Sequence, residues 1–372
     1  MAQVYGMDAN ITEVKEFVLN IHTLNMASAK KGQERWVSCI WGQKGIGKTY
    51  AVKQLAGTEH VDRVIDIPIA QIEEMGDFHG LPMHQEIDGK MVTVTAPPHW
   101  VPTDPDEKVI ILIDDFNRAD QRIIKGIMQL IQDHKTISWR LPNNVSLVLT
   151  ANPPEEDYLV AQLDPAILTR MMHIQMGVDF KSWLLWAEQN DIDSRVKSFI
   201  ARYQEMLAPI GSERTCPRSY HMLSTTIKNL PMNTTTSNIA LLKRYAAATL
   251  DIDSVTSFIS FLSGDFEMII EPKLIAEEYS KTETYSNKLK KIVADGRIDV
   301  INATLERLTA YINSLSSIKK GSNVQQNIIK LLEEDFINAD MKHLYVNLLA
   351  KGNMSNVILS AKLAKQLQVV LS

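Results

Sequence analysis

The run Gly42-Gln43-Lys44-Gly45-Ile46-Gly47-Lys48-Thr49 limits the possible folds more than any other part of this 372-residue chain. It fits G-x-x-x-x-G-K-[ST], follows the apolar segment Val37–Trp41 and opens a helical pattern. A strand, a glycine-rich turn and a helix in that order make a cradle for a polyphosphate. The glycines let backbone N–H groups turn inward with no Cβ in the way, and the helix start adds partial positive charge. In such a cradle Lys48 reaches the β- and γ-phosphates and the Thr49 hydroxyl sits on Mg²⁺. Tyr50 follows directly and completes the candidate nucleotide-binding stretch.

A phosphate cradle of this type needs a carboxylate. The buried-strand pattern Val109–Ile113 ends in Asp114-Asp115. Acids that end such a strand stand at its C-terminal edge, where open α/β sheets bind their ligands. Asp114 is therefore expected to hold Mg²⁺ through water, and Asp115 to orient and polarise the attacking water.

The rest of residues 1–177 supports an α/β domain. The runs Trp36–Trp41, Arg63–Ile69, Val109–Ile113 and Val145–Thr150 are short and mostly β-branched, as in buried parallel strands. Helical stretches, Thr49–Leu55 and Gln121–His134, lie between them. Residues 84–96 break the pattern. Asp88-Gly89 is a hairpin turn, and Met91–Thr95 alternates, so a β-hairpin is inserted there. Residues 178–264 lose the strand signal and read as a small helical domain, with Asp179 capping a helix through Trp183 and Trp186 and breaks near Pro209, Pro217 and Pro231. Residues 265–372 predict about four more helices. Ile301, Leu305, Leu308, Ile312 and Leu315 form one apolar stripe among them.

Composition excludes several classes. Hydrophobic residues at 45% and charged residues at 22% are ordinary for a globular chain, so this is neither a disordered nor a low-complexity protein. Two cysteines, Cys39 and Cys216, cannot form a disulfide framework. No apolar stretch reaches the ~20 residues of a membrane span, and Met1–Asn10 lacks a leader pattern, so a cytoplasmic protein without a membrane partner is expected. The net charge of −5 does not favour a dedicated nucleic-acid binder. Trp183 and Trp186 are expected in a core, and Lys288, Lys290 and Lys291 on a solvated face.

Together the phosphate loop at 42–49 and the run Ile113-Asp114-Asp115-Phe116-Asn117-Arg118-Ala119 resemble the MoxR-like group of AAA+ ATPases. The resemblance runs on through Leu149-Thr150-Ala151-Asn152-Pro153, which is similar to the sensor 1 strand with Asn152 as the sensing residue. Leu163-Asp164-Pro165-Ala166-Ile167-Leu168-Thr169-Arg170 looks like the segment that ends in an arginine finger, Arg170. Cys216-Pro217-Arg218-Ser219 is similar to the sensor 2 motif of a helical lid, with Arg218 as sensor. Val4-Tyr5-Gly6-Met7 resembles the segment beside the base, which adds Tyr5 and Gly6 to the nucleotide site, and the hairpin matches the family's insert before the acidic strand. These matches cover residues 4 to about 264.

The resemblance implies Mg²⁺-dependent ATP hydrolysis in a self-assembled ring, most simply a hexamer, since Arg170 would act on a neighbour's nucleotide. It also implies a client protein that is remodelled or matured. One candidate client carries a von Willebrand factor A domain, here on a separate chain because none is fused. The sequence departs from the pattern where Asp115 replaces the usual Glu, which sets the carboxylate back by roughly 1.5 Å. It also lacks a clear aromatic pore loop; Phe78-His79-Gly80 is the nearest segment and reads as a plain loop. Two Asp residues in this position also fit a nucleic-acid-linked ATPase switch. Further alternatives are a nucleotide-bound scaffold with little turnover and a preference for GTP, since the sequence does not fix the base.

Overall fold

The computed structural model describes residues 5–136, 139–153, 163–232, 236–319 and 321–354. The chain divides into two compact units, 1–179 and 180–372.

The first unit is built on a parallel sheet. Its strands are β1 (Asp8–Ala9), β2 (Val37–Trp41), β3 (Arg63–Pro68), β6 (Val109–Asp114), β7 (Val145–Ala151) and β8 (Met171–Met176), and β4 (Leu81–Ile87) and β5 (Lys90–Ala96) form a separate ribbon. The order across the sheet is β1-β8-β2-β7-β6-β3, with every pair parallel. Strands β2 and β7 are buried along their whole length, because the sheet is covered on both faces. Alternation along the strands assigns the two cores. Cys39, Ile111, Ile113, Leu147 and Leu149 meet Ile123, Ile127 and Ile131 of the helical stretch after β6. Ile40, Ile110, Leu112 and Val148 meet Val14 and Val18 of the first helix, Ile11–Lys30. This is the α/β domain with a parallel sheet that the sequence predicts.

Two strands escaped the sequence reading. Strand β8 carries His173 and Gln175 among its apolar residues, so it lacks a continuous apolar run, and β1 is only two residues long. The helix expected over Gln121–His134 runs as Gln121–Gly126 and Met128–Asp133, with Ile127 off-angle between them. Gly126 at that point leaves room for Met75, whose methyl would lie 2.1 Å from an added Cβ.

Asp88-Gly89 makes the expected hairpin turn, both residues at positive φ (51° and 72°). The ribbon begins at Leu81, three residues earlier than the sequence pattern marks. Phe78-His79-Gly80 is not a plain loop. Phe78 lies in a short helix, Met75–His79, and is fully buried with its ring 5.1 Å from that of Trp100. Its burial makes it a core aromatic and removes it as a pore-facing one.

Asn10 caps the first helix, its Oδ1 accepting from the N–H groups of Thr12 (2.9 Å) and Glu13 (3.1 Å), and Glu13 returns the bond to Asn10 N–H.

The second unit is helical throughout its described residues, and one apolar core runs from Trp183 to Met354. Helix Ile298–Ser314 packs on both Phe180–Gln189 and Ser194–Arg202, so residues on either side of position 264 share that core. Ile301, Leu305, Leu308 and Ile312 are buried as the stripe predicts. Trp183 is buried against Tyr220, with the ring of Trp186 6.4 Å from that of Trp183. Pro217 starts helix Pro217–Ile227 instead of ending one, since a first-turn proline sacrifices no helical hydrogen bond. Five helices follow residue 265 among the described residues, one more than expected. No helix of the described residues is long and apolar enough to cross a membrane.

Candidate nucleotide site

The site forms where β2 ends between β7 and β8, at the C-terminal edge of the sheet. Gly42 N–H donates to Ala151 O (3.2 Å), which ties the loop start to β7. Residue 42 must be glycine for a second reason: an added Cβ would lie 2.7 Å from Met176 O at the end of β8. Gly45 and Gly47 then turn the chain through positive φ (72° and 104°). Helix Lys48–Lys53 follows, with Lys48 buried.

The Lys48 ammonium donates to Gly42 O (2.8 Å), Gln43 O (3.0 Å) and Asn152 Oδ1 (3.0 Å). One residue on, Thr49 Oγ1 donates to Asp114 Oδ1 at 2.6 Å. Thr150 Oγ1 donates to the same oxygen, also at 2.6 Å, and accepts from Asp115 N–H at 2.9 Å. Asp115 itself is left-handed, with φ 52° and ψ 42°. Its carboxylate accepts from Asn152 Nδ2 (2.9 Å) and pairs with Arg118 Nε at 3.6 Å. Five of the predicted residues (Lys48, Thr49, Asp114, Asp115 and Asn152) thus form one connected polar network.

A hydroxyl and a carboxylate oxygen converging at 2.6 Å form an oxygen-only donor set, which suits Mg²⁺. Thr49 and Asp114 are the residues that would hold it.

Tyr5 and Gly6 lie against the other side of the loop's root. The Tyr5 ring is 4.4 Å from that of Trp41 and 5.6 Å from that of His173. Trp41 Nε1–H donates to His173 Nδ1 (2.9 Å), so the proton of that imidazole sits on Nε2, which donates to Leu168 O (2.8 Å). Gly6 crosses the β8 backbone so closely that a Cβ would meet His173 O at 2.4 Å, and its φ is +85°. Gly6→Ala is therefore expected to peel the N-terminal segment from β8, at a cost of about 1–3 kcal/mol. Faster hydrogen exchange at Gln175 and Gly177, whose N–H groups bond Met7 O and Ala9 O, is the check. Val4, quoted with this segment, lies outside the described residues.

Arg170 does not join the network. Its Nε donates to Gln132 Oε1 (2.8 Å) and its guanidinium also bonds Ala166 O. Arg218 belongs to the second unit. It is exposed on the first turn of helix Pro217–Ile227, where Cys216 and Ser219 cap the start. Tyr50 is 41% exposed on the helix after the loop. Cys39 is buried beneath the loop, and burial pushes its thiol pKa up despite nearby Lys48, which leaves it unreactive packing.

Sequence reasoning missed two contributors. Thr150 reads as one more β-branched strand residue, and nothing in the sequence reveals that its hydroxyl joins both acids. Asn117 lies in the run Ile113–Ala119, where nothing local marks its side chain as part of the site. Its side chain holds the Asn152 backbone at both its N–H and its C=O.

No protein-family model matches the chain, and the search of curated proteins gave no match. Solved structures do align with it. A provisionally named ATPase from Cytophaga hutchinsonii shares 15% identity over 75% of this chain and 88% of its own, with a TM-score of 0.33. A point mutant of RuvB from Thermotoga maritima shares 16% over 86% and 96%, with a TM-score of 0.34. Hsp104, in a closed state with ATPγS and FITC casein, shares 16% over 42% and 31%, with a TM-score of 0.29. The strand order, with the phosphate loop following β2, gives the first unit a P-loop α/β fold on a parallel sheet.

Proposed function

We propose that the chain is an Mg²⁺-dependent ATPase of MoxR-like AAA+ type that works as a ring, most simply a hexamer, and remodels or matures a client protein. The observation that carries this reading is the polar network joining Lys48, Thr49, Asp114, Asp115 and Asn152 at the sheet edge. The loop amides and Lys48 would bind the β- and γ-phosphates, while Thr49 and Asp114 would hold Mg²⁺. That ion, when bound, neutralises charge developing between the β- and γ-phosphates.

Asp115 and Asn152 would align the attacking water. Asp115 would orient that water so that its oxygen bonds to the γ-phosphorus while the bond to the β-phosphate oxygen breaks. Its proton passes to the departing phosphate or to solvent. The Asn152 bond orients the Asp115 carboxylate, with Arg118 3.6 Å away, while the carboxylate stays one methylene shorter than the Glu of the family. Arg170 would complete a neighbour's site in trans, and Arg218 would report the γ-phosphate to the second unit. The client would bind the assembled ring; a von Willebrand factor A domain on a separate chain is one candidate, and the expected compartment is the cytoplasm.

Trans action makes activity depend on assembly. ATPase activity per chain is expected to rise steeply with protein concentration and then level off. Mixing Arg170→Ala chains with Asp115→Asn chains is expected to restore part of the activity each lacks alone, because mixed neighbours supply one intact finger and one intact carboxylate. Full specific activity in a dilute monomer would refute the trans assignment.

A further inference from the structure

We infer that Asn117 is a positioning residue that sets Asn152, and through the Asn152 side-chain amide Asp115, in working register; this rests on the ATPase reading above. Asp115 enters the left-handed region at φ 52°, which aspartate adopts more readily than most residues with a Cβ. That turn throws the chain into the short 3₁₀ segment Phe116–Arg118 and brings Asn117 back across the end of β7. There its carboxamide makes a two-point clip: Nδ2 donates to Asn152 O (2.7 Å) and Oδ1 accepts from Asn152 N–H (3.1 Å). Asn117 and Asn152 are each 1% exposed.

The clip needs one donor and one acceptor in a fixed plane, which a primary amide supplies and a carboxylate does not. It fixes the backbone from which Asn152 reaches Lys48 on one side and Asp115 on the other. Thr150 adds a second tie across the same gap by accepting from Asp115 N–H. Strand ends carrying the carboxylate and the sensing amide are therefore locked through Asn117, which itself bonds the site's backbone and leaves the reacting groups to its neighbours.

The test uses the full chain with Mg²⁺ and ATP. Asn117→Asp keeps the shape and the bond to Asn152 N–H but sets an acceptor against Asn152 O. It is expected to leave the calorimetric ATP affinity within about threefold of the parent while kcat falls about 10²-fold, the scale of a ~1 Å misplacement. Asn117→Ala should behave alike; where it fails to fold, the Asp variant carries the test alone. Because Asn117 acts through Asn152, adding Asn117→Asp to Asn152→Ala should lower kcat by less than about threefold further.

An unchanged kcat in Asn117→Asp, a kcat loss matched by an equal loss of ATP affinity, or fully multiplicative effects in the double variant would each overturn the inference while leaving the ATPase reading intact. A parent chain that binds ATP but turns none over would instead overturn that reading, and this inference with it.

Discussion

Replacing Lys48 by alanine is expected to weaken ATP binding at least about 10³-fold. Two charge-assisted bonds to phosphate oxygens at ~2 kcal/mol each sum to about 4 kcal/mol, close to three decades in Kd. The structure adds a second loss. Lys48 is 6% exposed and its ammonium ties Gly42 O, Gln43 O and Asn152 Oδ1 together, so it fixes the loop as well as binding the ligand. Alanine releases all three bonds at once. Lys48→Arg should rescue little, because a planar guanidinium cannot occupy the space of a compact ammonium among three converging oxygens. Isothermal calorimetry with ATP and Mg²⁺ reads the effect directly. Parent-like affinity in Lys48→Ala would refute the phosphate-cradle assignment and the proposed function with it.

Why the sequence reveals some of this site and not the rest follows from the range of the forces involved. The phosphate loop is legible because glycine, lysine and threonine are each required by local backbone geometry within eight residues, and Asp114-Asp115 because a buried strand cannot end in two acids without exposing them. Strands β2, β6 and β7 show as apolar runs because both faces are covered. Strand β8 is hidden because it is polar at His173 and Gln175, and the side-chain partner of His173, Trp41, lies far away in sequence. Thr150 and Asn117 are hidden for the same reason: their bonds span about 35 residues. The short helix that buries Phe78 is hidden because its signal is tertiary packing on Trp100.

The buried charges of the second unit also escape the sequence, and they carry the second large prediction. Arg307 is 1% exposed and sits on the same helix as the apolar stripe, where periodicity marks it only as polar. It donates to Ser198 Oγ (2.8 Å), Ser194 Oγ (3.1 Å) and both oxygens of Glu271 (3.1 Å each), and lies 3.6 Å from Glu188 Oε1. Glu188 in turn pairs with Lys197 at 2.6 Å. Four charges from separate elements thus offset one another, and removing Arg307 leaves Glu271 without its cation while Glu188 keeps Lys197.

Arg307→Met, which keeps the volume, is expected to destabilise the second unit by about 3 kcal/mol at neutral pH. That is the low end of the range for broken buried pairs, because the Glu271 side chain keeps 43% exposure. The pH dependence separates charge from packing. Burial raises the Glu271 pKa, but Arg307, helped by Ser194 and Lys197, outweighs it and holds the carboxyl below its ordinary value. The parent's gain is therefore fully present above the ordinary glutamate pKa and is lost as pH falls through the lower folded value. Without Arg307 the burial effect prevails and an ionised Glu271 becomes a liability, relieved by protonation. The variant's penalty should therefore be largest at pH 7 and shrink toward pH 4, and Glu271→Gln added to Arg307→Met should recover part of it. Hydrogen exchange along Ile298–Ser314 measures this in the full chain. A penalty equal at both pH values would assign Arg307 to packing alone.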